Sequence, residues 1–176
     1  MDYYRVLGLD PKLQLDLIGL QQLFYARSRE LHPDRFARAA ASVRDAALIE
    51  SSLLNDAYRT LRDPLARAEY ILKENGFDIG LQGTKDVPPE LLEEVFELNM
   101  ALEELKAGDE SARPQLSSAR DSFELMLAQS SIDLDKLFSA YDASPGTEPL
   151  KPIRALLNRR RYIQNLLRDV HGYLSN

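Results

Sequence analysis

The chain has 176 residues, 44% hydrophobic and 28% charged, with a formal net charge of −6 at pH 7. It has no cysteine and two histidines, His32 and His171. Disulfides, thiolate chemistry and cysteine-ligated metals are therefore excluded, and a histidine-rich metal site is not expected. No apolar run is long enough to span a bilayer. The N-terminal stretch MDYYRVLGLD lacks the basic and apolar regions of a signal peptide and the arginine- and serine-rich look of a transit peptide. A soluble cytoplasmic protein with no membrane partner is the expectation. The charge is segregated: residues 1–75 are net zero, 76–149 carry −11 and 150–176 carry +5. Such runs more often mark solvated helix faces than binding sites.

Every periodic segment reads as helix, and no alternating strand stands out. DYYRVLGL is a short helix with Tyr3, Val6 and Leu7 on one side, ended by Gly8 and Pro11. Asp16 can cap the next helix by accepting from the free N–H groups of its first turn. Leu20, Phe24 and Leu31 share a face there, and Arg27 falls on the same stripe, where its aliphatic stem can lie on a core. Pro33 ends this helix, because the residue before a proline is pushed out of the α region. A third helix is predicted from Ser42 to Leu61, with Val43, Ala47, Leu54, Ala57 and Leu61 in step. Asp63-Pro64 then supplies a cap and a proline at the first helical position, where a missing N–H costs nothing. The fourth helix runs to Gly76.

Residues 76–89 hold three glycines and two prolines, the composition of a linker or elbow. Three longer helices follow: Pro89 to Ala107, Arg113 to about Ala140, and Leu150 to Leu174. Short connections between long helices predict an antiparallel three-helix bundle. The expected fold is all-α in two domains, residues 1–75 and 89–176, joined by residues 76–88.

The break at Pro33 reads LHPDRF. His32 and Asp34, two apart, can be read as a catalytic base and its orienter. No nucleophile or substrate pocket accompanies them, and a lone pair makes a poor metal site. Taken alone, the tripeptide is better read as a plain turn in which Pro33 breaks the helix and Asp34 bonds the backbone. The setting narrows the choice. DYYRVLGL, LHPDRF, NDAYRTLRDPLAR and the tyrosine of AEYIL follow one another across most of residues 1–75. The arrangement resembles the J-domain, the helical hairpin through which co-chaperones address DnaK-type chaperones. The resemblance implies a docking loop rather than an active site: His32, Pro33 and Asp34 would contact the partner's ATPase domain and couple to its hydrolysis of ATP. Proline fixes the backbone, so little entropy is lost on docking. Asp34 offers a charged acceptor for an arginine, and Arg29, Arg35 and Arg38 make a basic rim that speeds encounter with an acidic surface. The second helix ends FYARSRELH, less basic than is usual for J-domains, which fits a dedicated pairing.

The first bundle helix has Leu91, Val95, Leu98, Leu102 and Leu105 at the 4-3-4-3 spacing of a core stripe. At about 100° per residue, Leu92, Phe96 and Met100 lie well to one side of it. Glu93, Glu97 and Glu104 border them. Two readings fit: a protein-binding strip edged with carboxylates, or a helix with a wide buried face. In the last helix Ile153, Leu156, Ile163, Leu167, Val170 and Leu174 form a core stripe interrupted by Arg160, and Tyr162 lies off it. The run NRRRY is too short, in an acidic protein, to predict nucleic-acid binding.

A J-domain, the run RDPLARAEYIL, an elbow and a C-terminal bundle with LLEEVFELNMALEEL together resemble the HscB-type co-chaperones of iron–sulfur cluster assembly. The resemblance implies an L-shaped molecule that stimulates the ATPase of a DnaK/HscA-type chaperone and delivers the cluster scaffold protein to it, without catalysis or a cofactor of its own. The family's scaffold-binding positions match Leu92, Phe96, Glu97 and Glu104, with Met100 and the aromatic Tyr162. The N-terminal zinc module of some eukaryotic members is not expected. The alternative expectation is a J-domain co-chaperone with a different client or a general folding role.

Overall fold

The computed structural model describes residues 2–77 and 89–174. It is all-α, with seven helices and no strand among the described residues: α1 Asp2–Leu7, α2 Leu17–Glu30, α3 Ala41–Leu61, α4 Pro64–Glu74, α5 Leu92–Lys106, α6 Arg113–Ala143 and α7 Thr147–Leu174. Short 3₁₀ turns cover Pro33–Phe36, Pro89–Leu91 and Glu110–Ala112. Residues 78–88, most of the expected linker, lie outside the described residues.

Helix ends follow local chemistry. The Asp16 carboxylate accepts from the Ile18 N–H at 3.0 Å, and Asp63 accepts from Leu65 and Ala66 at 2.9 and 2.8 Å with Pro64 behind it. These carboxylates take up first-turn donors that have no intrahelical partner. Gly76 and Gly108, at φ +81° and +92°, follow α4 and α5 in the left-handed conformation that reverses a helix and that side chains disfavour.

The chain forms two compact units. The first comprises residues 2–77 together with 138–147. In it α3 packs on α1, α2 and α4, and Tyr4, Leu7, Leu20, Leu54, Leu61 and Ile71 are fully buried. Phe24 stacks on Tyr58 at 4.2 Å between ring centres, and Tyr3 on Tyr70 at 4.4 Å. Val43, expected in this core, is exposed, as are all of residues 41–46. α3 has 21 residues against 14 in α2, so its start outruns the helix beside it. Arg27 points to solvent and pairs with Glu30 at 3.1 Å.

The linear division expected from sequence places residues 138–147 in the bundle, whereas they cluster with the first unit. The reason is a clamp on the α1–α2 loop. Asp142 accepts from the backbone N–H groups of Leu13 and Gln14 at 2.7 and 2.8 Å. Arg67, only 3% exposed, donates to the Leu13 carbonyl at 2.8 Å. The Tyr4 hydroxyl donates to the Lys12 carbonyl at 2.6 Å. Burial pulls the Arg67 pKa down, and the neighbouring Tyr4, Asp63 and Asp142 push it back up. Burial drives the Tyr4 phenol well above its ordinary value.

The second unit comprises residues 89–137 and 148–174. Its core takes Leu91, Val95, Leu98 and Leu102 with the turn before and the body of α5, Leu116 and Phe123 from α6, and Ile163, Leu167 and Val170 from α7. α7 begins three residues earlier than the expected Leu150 and contains both Pro149 and Pro152. Pro149 sits in the first turn, where the lost donor had no partner, while Pro152 forgoes one helical bond. Leu157 rather than Leu156 is buried. Arg160, the interruption in the apolar stripe, staples α7 to α6 by donating to the Leu127 carbonyl at 2.7 Å, to Ser131 Oγ at 2.9 Å and to Ser130 Oγ.

The clamp makes two stability predictions. Asp142→Ala removes two charge-assisted bonds and costs the first unit about 2 kcal/mol, read as faster hydrogen exchange at Leu13 and Gln14 and a lower unfolding midpoint. Tyr4 is held neutral when folded, whereas the unfolded chain releases its proton near about pH 10. The folded state thus binds more protons there, so stability is full below about pH 9 and falls as pH rises through 10. Tyr4→Phe shallows that alkaline slope in denaturation curves taken from pH 8 to 11; an unchanged slope contradicts the assignment.

Candidate functional site

Two surfaces carry the residues singled out from sequence, one in each unit. In the first unit, α2 stops at Glu30 and the chain turns through Pro33–Phe36. His32 is the cap of this turn, with extended backbone at φ −61° and ψ 131°, as the residue before proline must be. Its carbonyl accepts from Arg35 N–H at 3.0 Å, and its ring Nδ1 accepts from Asp34 N–H at 3.3 Å. Pro33 has no N–H to satisfy. The loop therefore closes on itself and leaves its side chains outside: His32, Pro33 and Asp34 are exposed, the Asp34 side chain by 90%.

The Asp34 carboxylate lies 3.6 Å from His32 Nδ1, beyond hydrogen-bond reach. Arg29, Arg35 and Arg38 are exposed and make no ion pair among the described residues. The loop and the end of α2 thus expose one carboxylate and three arginines to solvent. Gln22, Tyr25, Ser28 and Arg29 line a shallow depression of about 430 Å³ on the adjoining face of α2. Tyr25, one of the residues that make the end of α2 less basic than is usual for J-domains, is exposed here.

In the second unit, α5 divides its apolar residues between two faces. Leu91 and Leu98 are 0% exposed, whereas Leu92, Phe96 and Met100 are 55%, 65% and 50% exposed. The wide-buried-face alternative is thereby excluded: the i, i+4, i+8 strip stands outside the core. Met100 also belongs to a cleft of about 500 Å³ between α5 and α6, with Glu94, Glu97 and Glu104 on one wall and Ser118 and Ser122 on the other. The structure thus brings together Glu97, Met100 and Glu104, and sets Leu92 and Phe96 beside them on the same helix. Glu93, expected at the border, is exposed but does not line the cleft; Glu94 does. Tyr162 is half-buried against the core of this unit, makes no ring contact with Phe96 among the described residues, and has its phenol pKa raised by that burial. The α6 wall went unread from sequence. Its signal is the small residues Ser118, Ala119 and Ser122, which keep the groove open.

The two faces of α5 predict opposite responses to truncation. Phe96→Ala alters stability by less than about 0.5 kcal/mol, as exposed substitutions do. Leu98→Ala, two positions on, costs about 2–5 kcal/mol. Denaturant unfolding of both variants checks this; equal losses would place Phe96 in the core.

No group of His, Asp or Glu among the described residues is arranged to hold a metal ion, and no described helix is long and apolar enough to cross a membrane. Residues 87–171 match the family model described as the HSCB C-terminal oligomerisation domain. Two relatives named co-chaperone protein HscB homolog, from Neisseria meningitidis serogroup C and serogroup B strains, are each 31% identical over 167 residues, covering 94% of this chain and 98% of theirs. Among solved structures, the chaperone HscB from Vibrio cholerae aligns with a TM-score of 0.63 at 27% identity, covering 98% of this chain and 96% of that one. The human co-chaperone HscB aligns with a TM-score of 0.65 at 26% identity, covering 97% and 81%. Full-length similarity of sequence and of fold, on a chain that exposes the His-Pro-Asp loop and the α5 strip, establishes that this protein belongs to the HscB family of co-chaperones.

Proposed function

We propose that the chain serves iron–sulfur cluster assembly by working on two proteins at once. The loop His32, Pro33 and Asp34, rimmed by Arg29, Arg35 and Arg38, docks on the ATPase domain of a DnaK/HscA-type chaperone and stimulates its ATP hydrolysis. The strip Leu92, Phe96 and Met100, with Glu97 and Glu104 and with Tyr162 from α7, holds the cluster scaffold protein and presents it to that chaperone, promoting cluster transfer. The chain works in the cytoplasm, has no catalytic residues and needs no cofactor.

The observation that carries this reading is the exposure, in one chain, of both an uncommitted Asp34 carboxylate and three large apolar side chains on α5. At the loop, the rigid Pro33 backbone limits the entropy lost on docking, and Asp34 gains a charge-assisted bond to a partner arginine. At the strip, each anchor gives up its remaining water contact, worth about 1 kcal/mol or more for a half-exposed Leu or Phe. Glu97 and Glu104 have no ion pair among the described residues, so they add preference for a partner with basic groups beside its apolar ones.

Purified components test the reading. Leu92→Ala with Phe96→Ala weakens scaffold binding by about a hundredfold and leaves stimulation of the chaperone's ATPase, measured without scaffold, at the wild-type level. Asp34→Asn and His32→Gln do the reverse while the protein stays folded. Unchanged scaffold binding in the α5 variant would overturn the scaffold assignment and leave a J-domain protein with another client. Unchanged stimulation in Asp34→Asn would overturn the docking assignment.

A further inference from the structure

The His32 ring is the cap of the Pro33–Phe36 turn. Its Nδ1 accepts from the Asp34 backbone N–H at 3.3 Å, and its own carbonyl accepts from Arg35 at 3.0 Å. Because Pro33 brings no N–H, these two bonds satisfy the first two donors of the turn. An accepting Nδ1 must be unprotonated, so the neutral ring carries its proton on Nε2. The same nitrogen stands 3.6 Å from the Asp34 carboxylate. A ring with Nδ1 protonated would reach for that carboxylate instead and occupy the acceptor that the loop offers outward. The backbone cap thus does two things. It fixes the turn that aims Asp34, and it keeps the imidazole from capturing the Asp34 side chain, which remains 90% exposed.

We propose that His32 is a positioning residue: its necessary contribution to docking is Nδ1 as an internal acceptor, and Asp34 makes the decisive contact with the chaperone. The proposal rests on the docking reading of the loop given above. It separates the two edges of the ring by chemistry. Asparagine carries its side-chain oxygen on Cγ, where histidine carries Nδ1, and is itself a favoured cap. Glutamine places its amide one bond further out, near the position of Nε2, and does not reproduce the Nδ1 acceptor.

Three readouts on the full chain test it. In the wild type near neutral pH, nitrogen NMR of His32 shows Nδ1 unprotonated and Nε2 protonated. Hydrogen exchange shows the Asp34 amide protected in the wild type and in His32→Asn, and open in His32→Gln and His32→Ala. Stimulation of a DnaK-type chaperone's ATPase falls about tenfold or more in His32→Gln, and His32→Asn recovers at least about fivefold over it, the scale of one cap. The opposite tautomer, an unprotected Asp34 amide in His32→Asn, or His32→Asn no more active than His32→Gln would each overturn the proposal. Asp34→Asn run alongside separates the two levels: if it stimulates like the wild type, the docking reading itself fails.

Discussion

Proline 33 is the constraint on which the functional half of the molecule is built. Its ring excludes His32 from the helical region and ends α2 there. The short turn that follows sends the chain back as α3, and α2 and α3 then pack together, with Phe24 stacked on Tyr58 and Leu20 and Leu54 buried. The loop at its tip owes its shape to the same residue: with no N–H at Pro33, one side-chain nitrogen and one carbonyl of His32 complete the turn. This self-satisfied turn leaves the side chains of Asp34, Arg29, Arg35 and Arg38 exposed, as the proposed docking requires.

The second unit solves a different problem with one helix. α5 has to contribute to a bundle core and also present apolar surface. It separates the tasks by register: Leu91, Val95, Leu98 and Leu102 go in, while Leu92, Phe96 and Met100 stay out. Exposed large apolar side chains on a small bundle gain nothing for its folding, which is why they are read as contact surface. The cleft beside them, held open by the small residues of α6, extends that surface beyond the helix that sequence periodicity singles out.

What was legible in the sequence was local. Caps at Asp16 and Asp63, the breaks at Pro33, Gly76 and Gly108, and the two stripes of α5 each depend on residues within a turn or two, and periodicity or turn chemistry exposes them. What was hidden was long-range. Asp142 binds the backbone of Leu13, 129 positions away, and nothing in either segment announces it, so the clustering of residues 138–147 with the first unit is not legible in the sequence. Arg160 looked like a fault in an apolar stripe until Leu127, Ser130 and Ser131 supplied its acceptors. The exposure of Val43 reflects the unequal lengths of α2 and α3, which no single helix encodes.

The central proposal is that docking loop and α5 strip act from one chain, the loop to recruit the chaperone and the strip to bring what it receives. Complementation in trans measures this directly: single-turnover ATP hydrolysis by the chaperone with scaffold protein present, driven by an equimolar mixture of Asp34→Asn and the Leu92→Ala, Phe96→Ala variant. The account predicts that the mixture gives only the stimulation of its loop-intact member, well below that of the wild type with scaffold. Full wild-type stimulation by the mixture would show that the two surfaces work independently, and would contradict it.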